Sequence, residues 1–170
     1  MKKFLIALIA PICLVFLGLL VQSAAFAQQM STGDRRLDSL LVKINQEAIA
    51  DPDVFIRLLS QTNNVQEAAI RQVRDLFGLS FGDTYMATAL SRISDQPLEV
   101  VAEAYHRNQG RGWGVMAMNM GIKPGSAEFK ALKANARSSV NHMKTMAKSK
   151  KRQQEQERRK EREHGRKTKD

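Results

Sequence analysis

The apolar positions of this chain fall into two regimes. From Phe4 to Val21 they run without a charge for 18 residues. From Leu37 onward they recur at intervals of three and four, the spacing of one face of an α-helix. Leu37, Leu40, Leu41, Ile44 and Ala48 form a first such stripe. Asp51-Pro52-Asp53 then reads as a helix start: a capping aspartate, a proline at the first helical position and an acid in the first turn. Val54, Phe55, Leu58 and Leu59 supply its apolar face. Asn64 with Glu67 has the spacing of a capping box and opens a helix carrying Ile70, Val73, Leu76 and Phe77, closed by Gly78.

Gly82-Asp83 begins the next helix, with Met86, Ala89, Leu90 and Ile93 on one side. Asp95-Gln96-Pro97 starts another, in which Val101, Ala104 and Tyr105 face inward. Gly110-Arg111-Gly112 ends it, and Trp113 to Met120 is a short helix stopped by Gly121. After the turn Lys123-Pro124-Gly125, Ser126 caps a last helix bearing Phe129 and Leu132. No sustained alternation of period two is bounded by hairpin turns, so the pattern predicts no sheet. The expected fold is all-α, a small bundle of short helices with a helix-turn-helix-like corner. Helices of this length are marginal alone and depend on packing against one another.

The uninterrupted run at the start has a different meaning. Lys2 and Lys3 precede it, and Ala25 and Ala27 place small side chains where signal peptidase requires them. Residues 1–27 therefore read as a secretory signal, and the protein is expected in the periplasm or outside the cell. An uncleaved inner-membrane anchor is the other reading, since 18 apolar residues are just enough to span a bilayer. Cleavage removes Cys13, the chain's single cysteine, and leaves a mature protein with no disulfide and no thiolate. The expected organisation is a signal at 1–27, a flexible leader at 28–34, a helical domain at 35–138 and a tail at 139–170.

Charge sharpens the tail. The whole chain carries +10, yet the segment from Lys148 to Asp170 holds 11 Lys/Arg against 5 Asp/Glu, which leaves the domain close to neutral. Two readings of this segment stay open, a solvated helix continuing the last one or a disordered tail. Its cations are Lys148, Lys150, Lys151 and Arg152, then Arg158, Arg159, Lys160 and Arg162, and finally Arg166, Lys167 and Lys169. Such a segment binds polyanions by releasing their counterions, and an anionic envelope component or extracellular polymer is the expected partner. The plain alternative is a solubilising extension. The absence of interleaved aromatics argues against base stacking.

Little in the sequence points to catalysis. His106, His142 and His164 stand in no metal-ligand spacing, and no serine-nucleophile motif is present. No enzyme activity, cofactor or small-molecule substrate is expected. Met116, Met118 and Met120 suggest a thioether copper site, but on a helix Met118 points away from the other two.

The densest motif is Gly110, Gly112, Trp113 and Gly114, followed by Gly121, Pro124 and Gly125. It reads as a tight structural corner, with the indole in the core and its N–H on a neighbouring carbonyl. An anion-binding glycine loop is the competing reading. Residues 98–132 resemble a helix-turn-helix unit, whose reader helix would offer Lys130, Lys133, Asn135 and Arg137. Ala127 and Lys130 depart from that pattern, and an exported chain does not meet the chromosome. Residues 65–133, through Gly82-Asp83, Gly110 to Gly114 and Gly121 to Ser126, resemble an uncharacterised family of small exported bacterial helical proteins. The resemblance implies export and a helical fold, with no activity or substrate. Sequencing the protein recovered from its native compartment should give Gln28 as the first residue; an intact Met1 would establish the anchored form.

Overall fold

The computed structural model describes residues 31–167, which are helical with no strand among them. The expected signal, residues 28–30 of the expected leader and the last three residues lie outside the described part. Seven α-helices follow in order: α1 Arg35–Ala50, α2 Pro52–Asn63, α3 Glu67–Phe77, α4 Phe81–Ser94, α5 Leu98–Arg107, α6 Gly112–Asn119 and α7 Ala127–Lys167. A single 3-10 turn, Gln109–Arg111, joins α5 to α6. Among the described residues no helix is long and apolar enough to cross a membrane.

The bundle is organised around α4. Every residue from Phe81 to Ser91 is buried, because α1, α2, α3, α5 and α7 all pack against this one helix. A helix enclosed on all sides is normally apolar all round. This one carries Gly82, Asp83, Thr84, Thr88 and Ser91 in the interior. Its hydroxyls are satisfied locally: Thr84 donates to the Ser80 carbonyl, Thr88 to that of Thr84, and Ser91 to that of Gln96. The small side chains let neighbours approach closely. The Gly82 N–H donates to the Asn45 side chain at 2.7 Å, and a Cβ at Gly82 would lie 3.2 Å from the Leu41 carbonyl oxygen of α1. Tyr85 ties α4 to the last helix by donating to the Leu132 carbonyl at 3.0 Å.

Most expected stripes reach the core, with informative exceptions. Leu76 is 69 % exposed although it belongs to the expected stripe of α3; Ile70 and Val73 carry the buried face. Asn64 does not open α3. It closes α2 in the left-handed conformation, and Gln66 precedes α3 without a side-chain cap. Asp95 likewise ends α4 in the left-handed region, where aspartate and asparagine are tolerated, and does not start α5. Ser126 does cap α7, accepting from the Phe129 N–H.

Two boundaries differ from expectation. The described part of the leader, residues 31–34, is pinned to the bundle. Thr32 is buried, and both its N–H and its hydroxyl donate to Asp38 Oδ1, at 2.8 and 2.7 Å. The Ser31 carbonyl accepts from the Gly114 N–H at 3.3 Å. At the other end, Ser139, Val140 and Met143 remain in the core beyond residue 138. The apolar spacing of Phe129, Leu132 and Ala136 continues through them, so α7 stays docked on α1 for another turn and more.

The docked leader explains one glycine. A Cβ at Gly114 would stand 2.5 Å from the Thr32 carbonyl oxygen, whereas one at Gly110 would meet nothing within 4 Å. Gly114→Ala should therefore lower stability by about 1–3 kcal/mol through forced displacement of the strap. Gly110→Ala should change it by no more than about 0.5 kcal/mol. Urea unfolding followed by circular dichroism checks both; equal effects at the two positions would show that the strap does not constrain the helix.

Candidate functional site

Two chemically distinctive places emerge, one inside the bundle and one on α7. The first is built at the N-terminus of α4. Ser80 caps this helix, its Oγ accepting from the Asp83 N–H at 3.1 Å and donating to Asp83 Oδ2 at 2.6 Å. The Ser80 hydroxyl thus bonds both the backbone and the side chain of Asp83 at the start of the helix. It turns the Asp83 carboxylate, 7 % exposed, into the interior. There Oδ1 accepts from Trp113 Nε1 at 2.7 Å and from the Tyr105 hydroxyl at 3.1 Å. The two rings stack at 3.7 Å between centroids and 10° between planes.

Among the described residues no Lys or Arg pairs with Asp83. Its charge is instead met by three donors and by the positive end of α4. Burial, and then the charge of Asp83, push the Tyr105 hydroxyl far above its ordinary range and keep it a donor. A 50 Å³ void beside Tyr105, lined also by Asn108, Gly112 and Met116, has room for about one or two waters. The arrangement is a locking contact between α4, α5 and α6.

The Gly-rich corner is therefore structural in detail. The indole lies in the core as expected, but its N–H partner is the Asp83 carboxylate and not a carbonyl. Gly112, Gly121 and Gly125 each have positive φ, at 71°, 82° and 83°. Pro124 sits with Gly125 in the turn before α7. Gly110 has neither a positive φ nor a close neighbour. The Ser80…Asp83 spacing was the available signal for the cap alone, and reading Gly82-Asp83 as the helix start hid it.

The second place is the free part of α7. From Lys148 to Arg162 the helix continues without packing, and all the side chains are exposed. Lys148, Lys151, Arg152, Arg158, Arg159, Lys160 and Arg162 are thus fully presented to solvent. Lys150 is drawn aside to Asp51 at 2.9 Å, a contact that raises its pKa. The helix includes Arg166 and Lys167, whose side chains lie outside the described residues, as does all of Lys169. Successive residues turn by about 100°, so Lys148, Lys151, Arg152, Arg159 and Arg162 share one face with Glu155 among them, while Glu157, Glu161 and the Asp51-bound Lys150 lie opposite.

The remaining candidates are dispersed. Met116 is buried, Met120 partly so and Met118 half exposed, so the three thioethers do not converge. No three His, Cys, Asp or Glu side chains gather to hold a metal among the described residues. Of the reader-helix residues, Lys130 and Arg137 are exposed and Asn135 is partly covered. Lys133 is engaged by Asp34 at 2.7 Å. That hydrogen bond, with the Leu37 and Arg36 N–H groups of the helix cap, holds the Asp34 carboxyl below its usual range. No protein family, curated protein or solved structure matches the chain.

Removing either end of the Asp83–Trp113 bond leaves a buried polar group short of a partner. Asp83→Asn and Trp113→Phe should each destabilise by about 1–3 kcal/mol. The double variant should fall short of their sum by about 1 kcal/mol. Strict additivity in urea unfolding would mean that the two side chains contribute independently.

Proposed function

We propose that this is an exported, non-enzymatic protein that binds an anionic envelope or extracellular polymer through the basic segment of α7. The observation that carries the reading is the free helix itself. Its cations sit on a helix that continues outside the bundle, and five of them, Lys148, Lys151, Arg152, Arg159 and Arg162, share one face with Glu155 among them. A helix of this kind holds charges in register without the ordering cost a disordered tail would incur on binding.

Burial supports this reading over an enzymatic one. The side chains with the strongest chemistry, Asp83, Tyr105 and Trp113, are closed within the core, while the cations face solvent. A nucleic-acid-binding role for the corner of α6 and α7 is weaker, because Lys133 is occupied by Asp34 and no aromatic side chain lies on α7 beyond Phe129. The proposed export would bring acidic polysaccharides and phosphodiester polymers within reach of the same helix.

Replacing Lys151, Arg152, Arg158, Arg159 and Arg162 together with glutamine keeps helix propensity and removes the charge. The variant should elute from a heparin column at clearly lower salt than the parent. Its affinity at ~0.15 M salt should fall at least about tenfold, with a shallower dependence on salt. Equal elution of the two proteins would refute polymer binding by this segment.

A further inference from the structure

The cationic face of α7 does not begin at the tail. Traced back along the helix, the same face carries Lys130, Lys133, Arg137 and Lys144, at intervals of three, four and seven that continue into Lys148 and Lys151. Lys130 and Arg137 are exposed, and neither takes part in an ion pair among the described residues. Lys133 and Lys144 are neutralised from within, by Asp34 and by Glu47 at 3.9 Å. Arg36 of α1, also exposed, stands across a shallow 450 Å³ groove from Arg137, Ser138 and Asn141.

We infer that the folded bundle and the projecting helix form one continuous binding surface, a straight cationic ruler that takes a single chain of acidic polysaccharide along its length. This rests on the polymer-binding reading above and gives it a length, a face and a class of partner. From Lys130 to Arg162 the ruler measures about 48 Å at 1.5 Å per residue. Its bundle end is held in place by the packing of α7 on α1, and its outer end follows because the helix is unbroken.

The one-sidedness selects the partner. A helix sunk into a duplex groove meets phosphates on both flanks, and here the opposite side presents Glu157 and Glu161, while Glu155 interrupts the cationic face between Lys151 and Arg159. A helix lying in a membrane interface needs apolar side chains to insert, and beyond Ala147 the described part of α7 has none. Single-stranded nucleic acid is held by stacking on aromatics, which the ruler lacks. A flexible chain with an acidic group on successive sugars needs only a line of cations in phase.

Phase is therefore the test. Two alanines inserted between Gln153 and Gln154 rotate the outer cations by about 200° relative to the bundle, without changing charge or touching the core. Seven inserted residues of mixed alanine and glutamine return them to within about 20°. With the protein as its host processes it and heparin chains longer than the ruler as probe, the two-residue insertion should weaken binding about tenfold. The seven-residue insertion should bind within about twofold of the parent. Arg36→Gln, Lys130→Gln and Arg137→Gln combined should weaken binding about fivefold or more. Equal affinities for both insertions, or parental affinity for the bundle triple variant, overturn the ruler; if neutralising the tail still weakens binding, polymer capture by the tail stands alone. If neutralising the tail also has no effect, both readings fall. Tighter binding to duplex DNA or to anionic vesicles than to heparin at equal salt overturns the choice of polysaccharide.

Discussion

A carboxylate buried at the start of the central helix sets the terms for the rest of this structure. Asp83 is held by Trp113, Tyr105 and Ser80, and among the described residues no cation pairs with it. Leaving any of these donors out would expose the charge to an apolar surround at a cost of about 1–3 kcal/mol per lost bond, more than most single contacts in the bundle contribute. The indole must therefore reach Asp83 from α6, which brings α6 tightly against α5. Gly112, with φ of 71°, makes the sharp entry into α6. Gly114 then leaves room for the Thr32 carbonyl, so the strap ahead of α1 closes over the same helix. Glycines, tryptophan and aspartate that are 30 positions apart in the chain answer to one electrostatic requirement.

Which parts of this were legible beforehand follows from the range of each force. The helices of α1, α2 and α7 are written in local spacing, and Leu37, Leu41, Ile44, Leu59, Phe129 and Leu132 are all buried as that spacing predicts. Caps were harder. Asn64 and Asp95 have the side chains of helix starts, yet both end helices, because the same short polar groups that cap an N-terminus also tolerate the left-handed conformation. Leu76 was placed on a stripe that the bundle leaves at the surface, since α3 contacts its neighbours over a narrower arc than its apolar face. The Asp83–Trp113 bond was not legible at all from spacing alone. Both halves were conspicuous in the sequence, but only tertiary packing brings α4 and α6 together.

The long last helix joins two requirements that usually belong to separate segments. Its first turns bury Phe129, Leu132, Ala136, Val140 and Met143 against the bundle, and its outer turns bury nothing. An exposed polar helix of that length is marginal when isolated. Here the docked turns act as its nucleus, so each outer residue adds a hydrogen bond without a further nucleation cost. The Lys150–Asp51 contact lies where the helix leaves the bundle and adds a modest, salt-screened tether at that point. Because the same backbone continues from packed to free turns, the direction of the outer cations is set by the core beneath the inner ones. A flexible joint at residue 148 would leave the charge of the tail unchanged, yet would dissolve its alignment with the bundle. In the unbroken helix the core of the domain fixes the face on which its charge is presented.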